Sequence, residues 1–98
     1  MDCKVLWTSP ALKDLTGVLQ FIAEDNPDAA ERIGQRILGR TDLLQSQPEL
    51  GSFVGRRPRG EARRLVVGSY IVYYRFCRPD QLVEITHVWH GARRPPLI

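Results

Sequence analysis

Three runs rich in Val, Ile, Tyr and Phe, at Arg63 to Val67, Tyr70 to Cys77 and Leu82 to Trp89, follow one another so closely that few arrangements can join them. Gly68-Ser69 and Arg78-Pro79-Asp80 between them are turn-forming sequences, and links this short connect only antiparallel neighbours. The second half of the chain is therefore expected to form a three-stranded antiparallel meander.

The first half reads differently. Lys4-Val5-Leu6-Trp7-Thr8 is a short strand-like run, and Ser9-Pro10 after it resembles a helix start, with Ser9 as N-cap and Pro10 in the first turn. Leu12, Leu15, Leu19 and Ile22 then recur at helical spacing. Asn26-Pro27 repeats the start signal, and Ala30, Ile33, Ile37 and Leu44 supply a second apolar stripe. Two helices with so short a link must pack as an antiparallel hairpin. Gln47-Pro48-Glu49-Leu50-Gly51 closes the second helix, and the Gly-, Pro- and Arg-rich stretch from Ser52 to Ala62 reads as an exposed loop.

The expected fold class is α+β: an N-terminal strand, an antiparallel helical hairpin over one sheet face, then the meander. With 98 residues, 43% of them hydrophobic and 26% charged, residues 1–98 are expected to form one domain. No apolar run approaches membrane-helix length and no signal peptide is visible, so a cytoplasmic protein without membrane contact is expected. Cys3 and Cys77 lack metal-ligand spacing and read as packing residues, as do Tyr70, Tyr73, Tyr74, Trp7 and Trp89. No metal or cofactor is expected.

The net charge of +3 conceals an asymmetry. Residues 1–50 carry five basic and eight acidic side chains, a net of −3, whereas residues 51–98 carry nine Arg against three acids, a net of +6. Twelve of the fourteen basic residues are Arg, whose planar fork binds carboxylate or phosphate in two-point fashion. An anionic partner for the second half is expected.

The order of elements and several local phrases resemble the RelE/ParE toxins over nearly the whole chain, and the ParE branch most. The phrases are Ser9, Ala11, Asp14 and Leu15; Ile22-Ala23, Asp25-Asn26-Pro27 and Ala29-Ala30; Leu44, Pro48, Leu50 and Gly51; Arg64-Leu65; Tyr70-Ile71-Val72-Tyr73-Tyr74-Arg75; and Ile85, Val88, His90-Gly91 and Arg93. The resemblance implies a toxin of a type II toxin–antitoxin pair, neutralised by a cognate antitoxin, of ribbon-helix-helix type with an acidic tail, in a hetero-oligomer. ParE-like members are associated with inhibition of DNA gyrase, and RelE-like members with ribosome-dependent mRNA cleavage, two functions that one scaffold cannot distinguish. A non-toxic basic nucleic-acid-binding module is the third alternative.

Cleavage of mRNA needs a general acid and base beside a fixed cation. Arg64 and Arg75 as electrostatic stabilisers with His90 as the proton carrier are the expected set for that reading, and Glu84 and His87 are further proton carriers. Which of His87 and His90 faces solvent depends on strand register and on any bulge that resets it. The only lysines are Lys4 and Lys13, and no Tyr or Phe follows His90, which weighs against a nuclease of the RelE type. Gyrase inhibition is therefore preferred. It needs only a docking surface, for which Arg56, Arg57, Arg59, Arg64, Arg75, Arg93 and Arg94 are the target-binding candidates. Leu12, Leu15, Leu19, Ile33 and Ile37 are expected to meet the antitoxin.

Overall fold

The computed structural model describes residues 2–92. Its elements are β1 (Lys4–Trp7), α1 (Ser9–Asp25), α2 (Pro27–Asp42), a single 3-10 turn at Leu43–Gln45, and then β2 (Ser52–Arg57), β3 (Gly60–Val67), β4 (Tyr70–Cys77) and β5 (Leu82–His90). They build one five-stranded sheet in the order β1-β5-β4-β3-β2, with β1 parallel to β5 and every other pair antiparallel. The α+β order is the one expected, and the meander is longer by one strand at its start. Ser52–Arg57, expected within an exposed loop, pairs with β3 as an edge strand and shifts register between Phe53 and Gly55. The helical hairpin carries the chain from β1 to β2 at the opposite edge of the sheet, and the meander returns to set β5 beside β1, parallel to it.

Both helix starts rest on a side-chain cap and a proline. Thr8, not Ser9, caps α1: its Oγ1 accepts from the Ala11 N–H at 3.3 Å while its O–H donates to the Ile85 carbonyl at 2.7 Å. The cap thus fastens the helix entry to β5. Asn26 caps α2 as expected, accepting from the Ala29 N–H at 3.0 Å, with Pro27 in the first turn. The helices pack closely because position 34 is glycine; a Cβ there would lie 3.2 Å from Leu19 Cδ1.

The core forms where the hairpin meets one sheet face. Ala11, Leu15, Ile37 and Leu44 bury against Leu65, Val67, Val72, Tyr74, Phe76, Val83, Ile85 and Val88. Alternation holds along β3 and β4, but in β5 the interval changes: Ile85 and Val88, three residues apart, are both core. Thr86 is the reason. Tyr73 pairs with His87 and Tyr74 with Ile85, so Thr86 is an extra residue, a β-bulge. Its O–H donates to the Tyr73 carbonyl at 3.1 Å.

Gln47 to Gly51 is held onto the sheet by a polar latch. Tyr74, almost fully buried, donates its O–H to the Pro48 carbonyl at 2.7 Å and accepts from the Gly51 N–H at 2.9 Å. Burial raises the Tyr74 pKa above the usual phenol value, keeping the donor proton in place. Gly51 is required by this approach, since a Cβ would lie 2.7 Å from the Arg64 carbonyl oxygen and 2.8 Å from Tyr74 Cε1. Arg63 donates to the Gly51 carbonyl at 2.7 Å and to Glu61, and Arg78 spans Glu49 at 2.8 Å and Glu61 at 2.9 Å. Two of the nine arginines after residue 50 are thereby committed to structure. Among the described residues no helix is long and apolar enough to cross a membrane.

Two outcomes follow from the latch. Tyr74→Phe strands a buried N–H and a carbonyl, and urea unfolding will show a loss of about 1–3 kcal/mol; a loss below about 0.5 kcal/mol contradicts the role given to the hydroxyl. The hydrogen bond from Arg78, and then its charge, hold the Glu49 carboxyl below its ordinary value. Its contribution is therefore full above the ordinary carboxylate value and fades as pH falls through the lowered one. Glu49→Gln will flatten the acid limb of stability against pH relative to the unsubstituted protein, whereas an unchanged limb removes Glu49 from the latch.

Candidate functional site

The sheet face away from the helices presents three cross-strand rows: Ala62, Arg75 and Glu84; Arg64, Tyr73 and His87; and Val66, Ile71 and Trp89. Alternation on β3 and β4 places Arg64 and Arg75 here, because their neighbours Arg63, Leu65, Tyr74 and Phe76 turn to the helix side. The Thr86 bulge places His87 here. Together with Thr8, Pro10 and Arg57, the residues Ala62, Tyr73, Tyr74, Arg75, Glu84, Thr86 and His87 line a depression of about 500 Å³.

Polar partnering on this face is incomplete. Arg75 Nη1 lies 3.9 Å from Glu84 Oε1, an ion pair too long to be a hydrogen bond. Among the described residues Glu84 Oε1 is buried without a hydrogen-bond partner, and so is Trp89 Nε1. His87 Nδ1 is 3.4 Å from Asp14 Oδ2. The same carboxylate oxygen accepts from the Val88 N–H at 3.1 Å, where β1 has ended and left that edge of β5 unpaired. Asp14 of α1 thus fills a missing strand's role and lies beside the imidazole.

His90 is not brought to Arg64 and Arg75. It pairs with Tyr70 across β4 and β5, on the helix side of the sheet, and its ring meets the Tyr70 ring edge-on at 5.2 Å. His90 Nδ1 accepts from the Ala92 N–H at 3.1 Å, so the imidazole caps the turn after β5. The histidine that shares a face with both arginines is His87. Thr86 gives no sequence signal of a bulge, so only the pairing with β4 reveals the exchange.

The hairpin candidates Arg56, Arg57 and Arg59 do converge. They line a cleft of about 440 Å³ at one end of the sheet with Phe76, Cys77, Arg78 and Asp80. Arg57 reaches both this cleft and the open-face depression. Cys77 is a packing residue as expected, its thiol donating to the Arg59 carbonyl and its pKa raised by burial. Arg93 and Arg94 lie outside the described residues.

The apolar candidates divide. Leu15 and Ile37 are buried in the core, which removes them from any surface of the free chain, and Leu19 and Ile33 pack against it. Leu12 is exposed. Sequence reasoning missed Phe21, 65% exposed, which borders a groove of about 400 Å³ with Lys13, Gly17, Val18, Trp89 and His90.

Residues 5–95 match the model of the ParE toxin of the type II toxin–antitoxin system parDE. The chain is similar to Toxin RelE2 of Caulobacter vibrioides, 34% identical with 92% of this chain and 97% of the relative covered. It is also similar to putative toxin Y4kP of Sinorhizobium fredii, 35% identical over 97% of this chain and 95% of the relative. In fold it is similar to a chain of the chromosomal ParDE TA system from P. aeruginosa, with a TM-score of 0.71 at 20% identity, covering 90% of this chain and 95% of that one. A chain of the archaeal RelE–RelB complex from Pyrococcus horikoshii superposes with a TM-score of 0.70 at 20% identity, covering 96% and 100%. The chain belongs to the ParE toxin family and is a toxin of the type II toxin–antitoxin class.

Proposed function

We propose that this toxin inhibits DNA gyrase by docking on it, without cutting nucleic acid, and that a cognate antitoxin neutralises it. The observation that carries this reading is the separation of His90 from Arg64 and Arg75 by the thickness of the sheet. A cleavage centre needs its proton carrier and its phosphate clamp around one reacting atom, and that expected set does not share a face. A docking face needs complementarity only. Here it displays the exposed Arg64 beside Arg75, whose ion pair with Glu84 is loose at 3.9 Å and leaves the guanidinium open to an acidic partner.

One observation favours the second reading, mRNA cleavage. His87, with Asp14 3.4 Å from its Nδ1, shares the open face with Arg64 and Arg75. Purified toxin assayed in parallel on gyrase supercoiling and on ribosome-bound transcripts separates the two. The expected result is blocked supercoiling with intact transcripts, loss of at least about tenfold in potency (about 1.4 kcal/mol) on joint substitution of Arg64 and Arg75 by Ala, and retained toxicity on His87→Ala. Cut transcripts that disappear with His87→Ala overturn the gyrase reading in favour of cleavage.

The antitoxin is assigned to the hairpin side. The Phe21 groove offers the exposed aromatic and open glycine, Gly17, that an apolar helix or strap requires. Phe21→Asp will weaken antitoxin binding by about 2 kcal/mol, measured by competition, while toxicity persists; unchanged antitoxin affinity removes the groove from the interface.

A further inference from the structure

The net charge of −3 over residues 1–50 hides a basic feature: its three arginines, Arg32, Arg36 and Arg40, all lie on α2, four residues apart. Each step of four turns the position by about 40° and advances it about 6 Å, so the three form one stripe. Ala30, Gly34, Ile37 and Thr41 of α2 are buried, which turns the stripe outward, and Gly34 against Leu19 puts α1 on the other flank. All three arginines are exposed, Arg36 with its guanidinium lying over Gly68 at the β3–β4 turn.

None of the three has an ion pair or side-chain hydrogen bond among the described residues. The acids of α2 do not neutralise them. Glu31 is hydrogen-bonded to Gln35 at 3.4 Å; Asp28, in the first turn where the helix dipole favours it, begins the same row four residues before Arg32, and Asp42 ends the helix, neither of them ion-paired to the arginines among the described residues. Like charges at this spacing cost an isolated helix a few tenths of a kcal/mol per pair, so helix stability does not account for the stripe. Gly39 adds a second observation. It sits inside α2 next to Arg40, and a Cβ there would meet nothing within 4 Å. Packing does not require it, yet glycine costs about 1 kcal/mol relative to alanine in a helix interior. A surface that brings another molecule against the helix backbone accounts for it.

The stripe is a convex ridge of charge. Leu38, the exposed apolar residue of this stretch, is two positions from both Arg36 and Arg40 and points away from them, so the ridge lacks the apolar anchor that a protein partner would use. Steps of about 6 Å approximate the rise of two phosphates on one strand, about 6.8 Å. We infer that the outer flank of α2 contacts the phosphate backbone of duplex DNA through Arg32, Arg36 and Arg40, independently of sequence. The surface lies on the helix side, opposite the open face assigned to gyrase, and its function does not depend on that assignment.

Fluorescence anisotropy with the full 98-residue chain and a labelled duplex of about 20 base pairs, over a range of salt, tests the inference. Three phosphate contacts contribute about 2.7 to the slope of log affinity against log salt. The triple variant R32Q/R36Q/R40Q is expected to lose about that much slope and at least about tenfold in affinity near 50 mM salt. Its thermal melting should stay close to that of the unsubstituted chain, because no ion pair or hydrogen bond among the described residues is removed and only the packing of Arg36 over Gly68 changes. R56Q/R59Q, which alters the other exposed arginine cluster, is expected to retain the α2 contribution. Absence of duplex binding by the unsubstituted chain at that salt, or an unchanged slope in the folded triple variant, overturns the inference. So does a variant that loses affinity for a Glu-rich peptide while its duplex binding is unchanged, which would make the stripe a protein contact.

Discussion

One extra residue in β5 decides what each sheet face displays. Without Thr86 as a bulge, strict alternation would carry His87 to the helix side with Ile85, and Val88 to the open side. With it, Ile85 and Val88 both enter the core, His87 joins Arg64 and Arg75, and His90 turns towards Tyr70. The disturbance is held in place locally. Thr86 donates to the Tyr73 carbonyl, and Asp14 accepts the Val88 N–H that β1 is too short to reach. Asp14 also contacts His87 and ties α1 to the sheet edge, so the packing of the hairpin and the display of the open face share one carboxylate.

The charge of the second half divides in the same manner between structure and display. Arg63 and Arg78 hold the Gln47 to Gly51 segment together with Tyr74, Glu49 and Glu61. Arg75 is paired loosely with Glu84, and Arg56, Arg59 and Arg64 are exposed. A net charge of +6 after residue 50 therefore overstates the surface available to a partner, while the −3 before it obscures the stripe on α2. Summed charge informs about partners only after ion pairs and faces are assigned.

Local signals made most of the fold legible. Asn26-Pro27, the helical spacing of Leu12, Leu15 and Leu19, and the tight turns at Gly68-Ser69 and Arg78-Pro79-Asp80 each carry their own stereochemistry. Features set by a distant partner were not legible. β2 exists because β3 offers it an edge, although Gly55 and the consecutive Arg56 and Arg57 lack strand alternation. Thr8 outcompetes Ser9 as a cap because its hydroxyl also reaches Ile85, far along the chain. Leu15 and Ile37 belong to the same stripes as Leu19 and Ile33, and only the packing of the hairpin on the sheet buries them fully. At the site, Arg64 and Arg75 could be assigned to one face by their odd spacing across a tight hairpin, but His87 could not be distinguished from His90 without the bulge.

The bulge separates His90 from the open-face arginines, and nuclear Overhauser contacts from the two imidazole rings test that separation most directly. The structure predicts cross-peaks from His90 ring protons to the Tyr70 ring, whose centroid lies 5.2 Å away, and from His87 ring protons to Tyr73 and the Asp14 methylene. Cross-peaks from His90 to Tyr73 or Arg75, with His87 contacting core residues such as Val72, would show instead that β5 runs without the bulge and that His90 shares the open face.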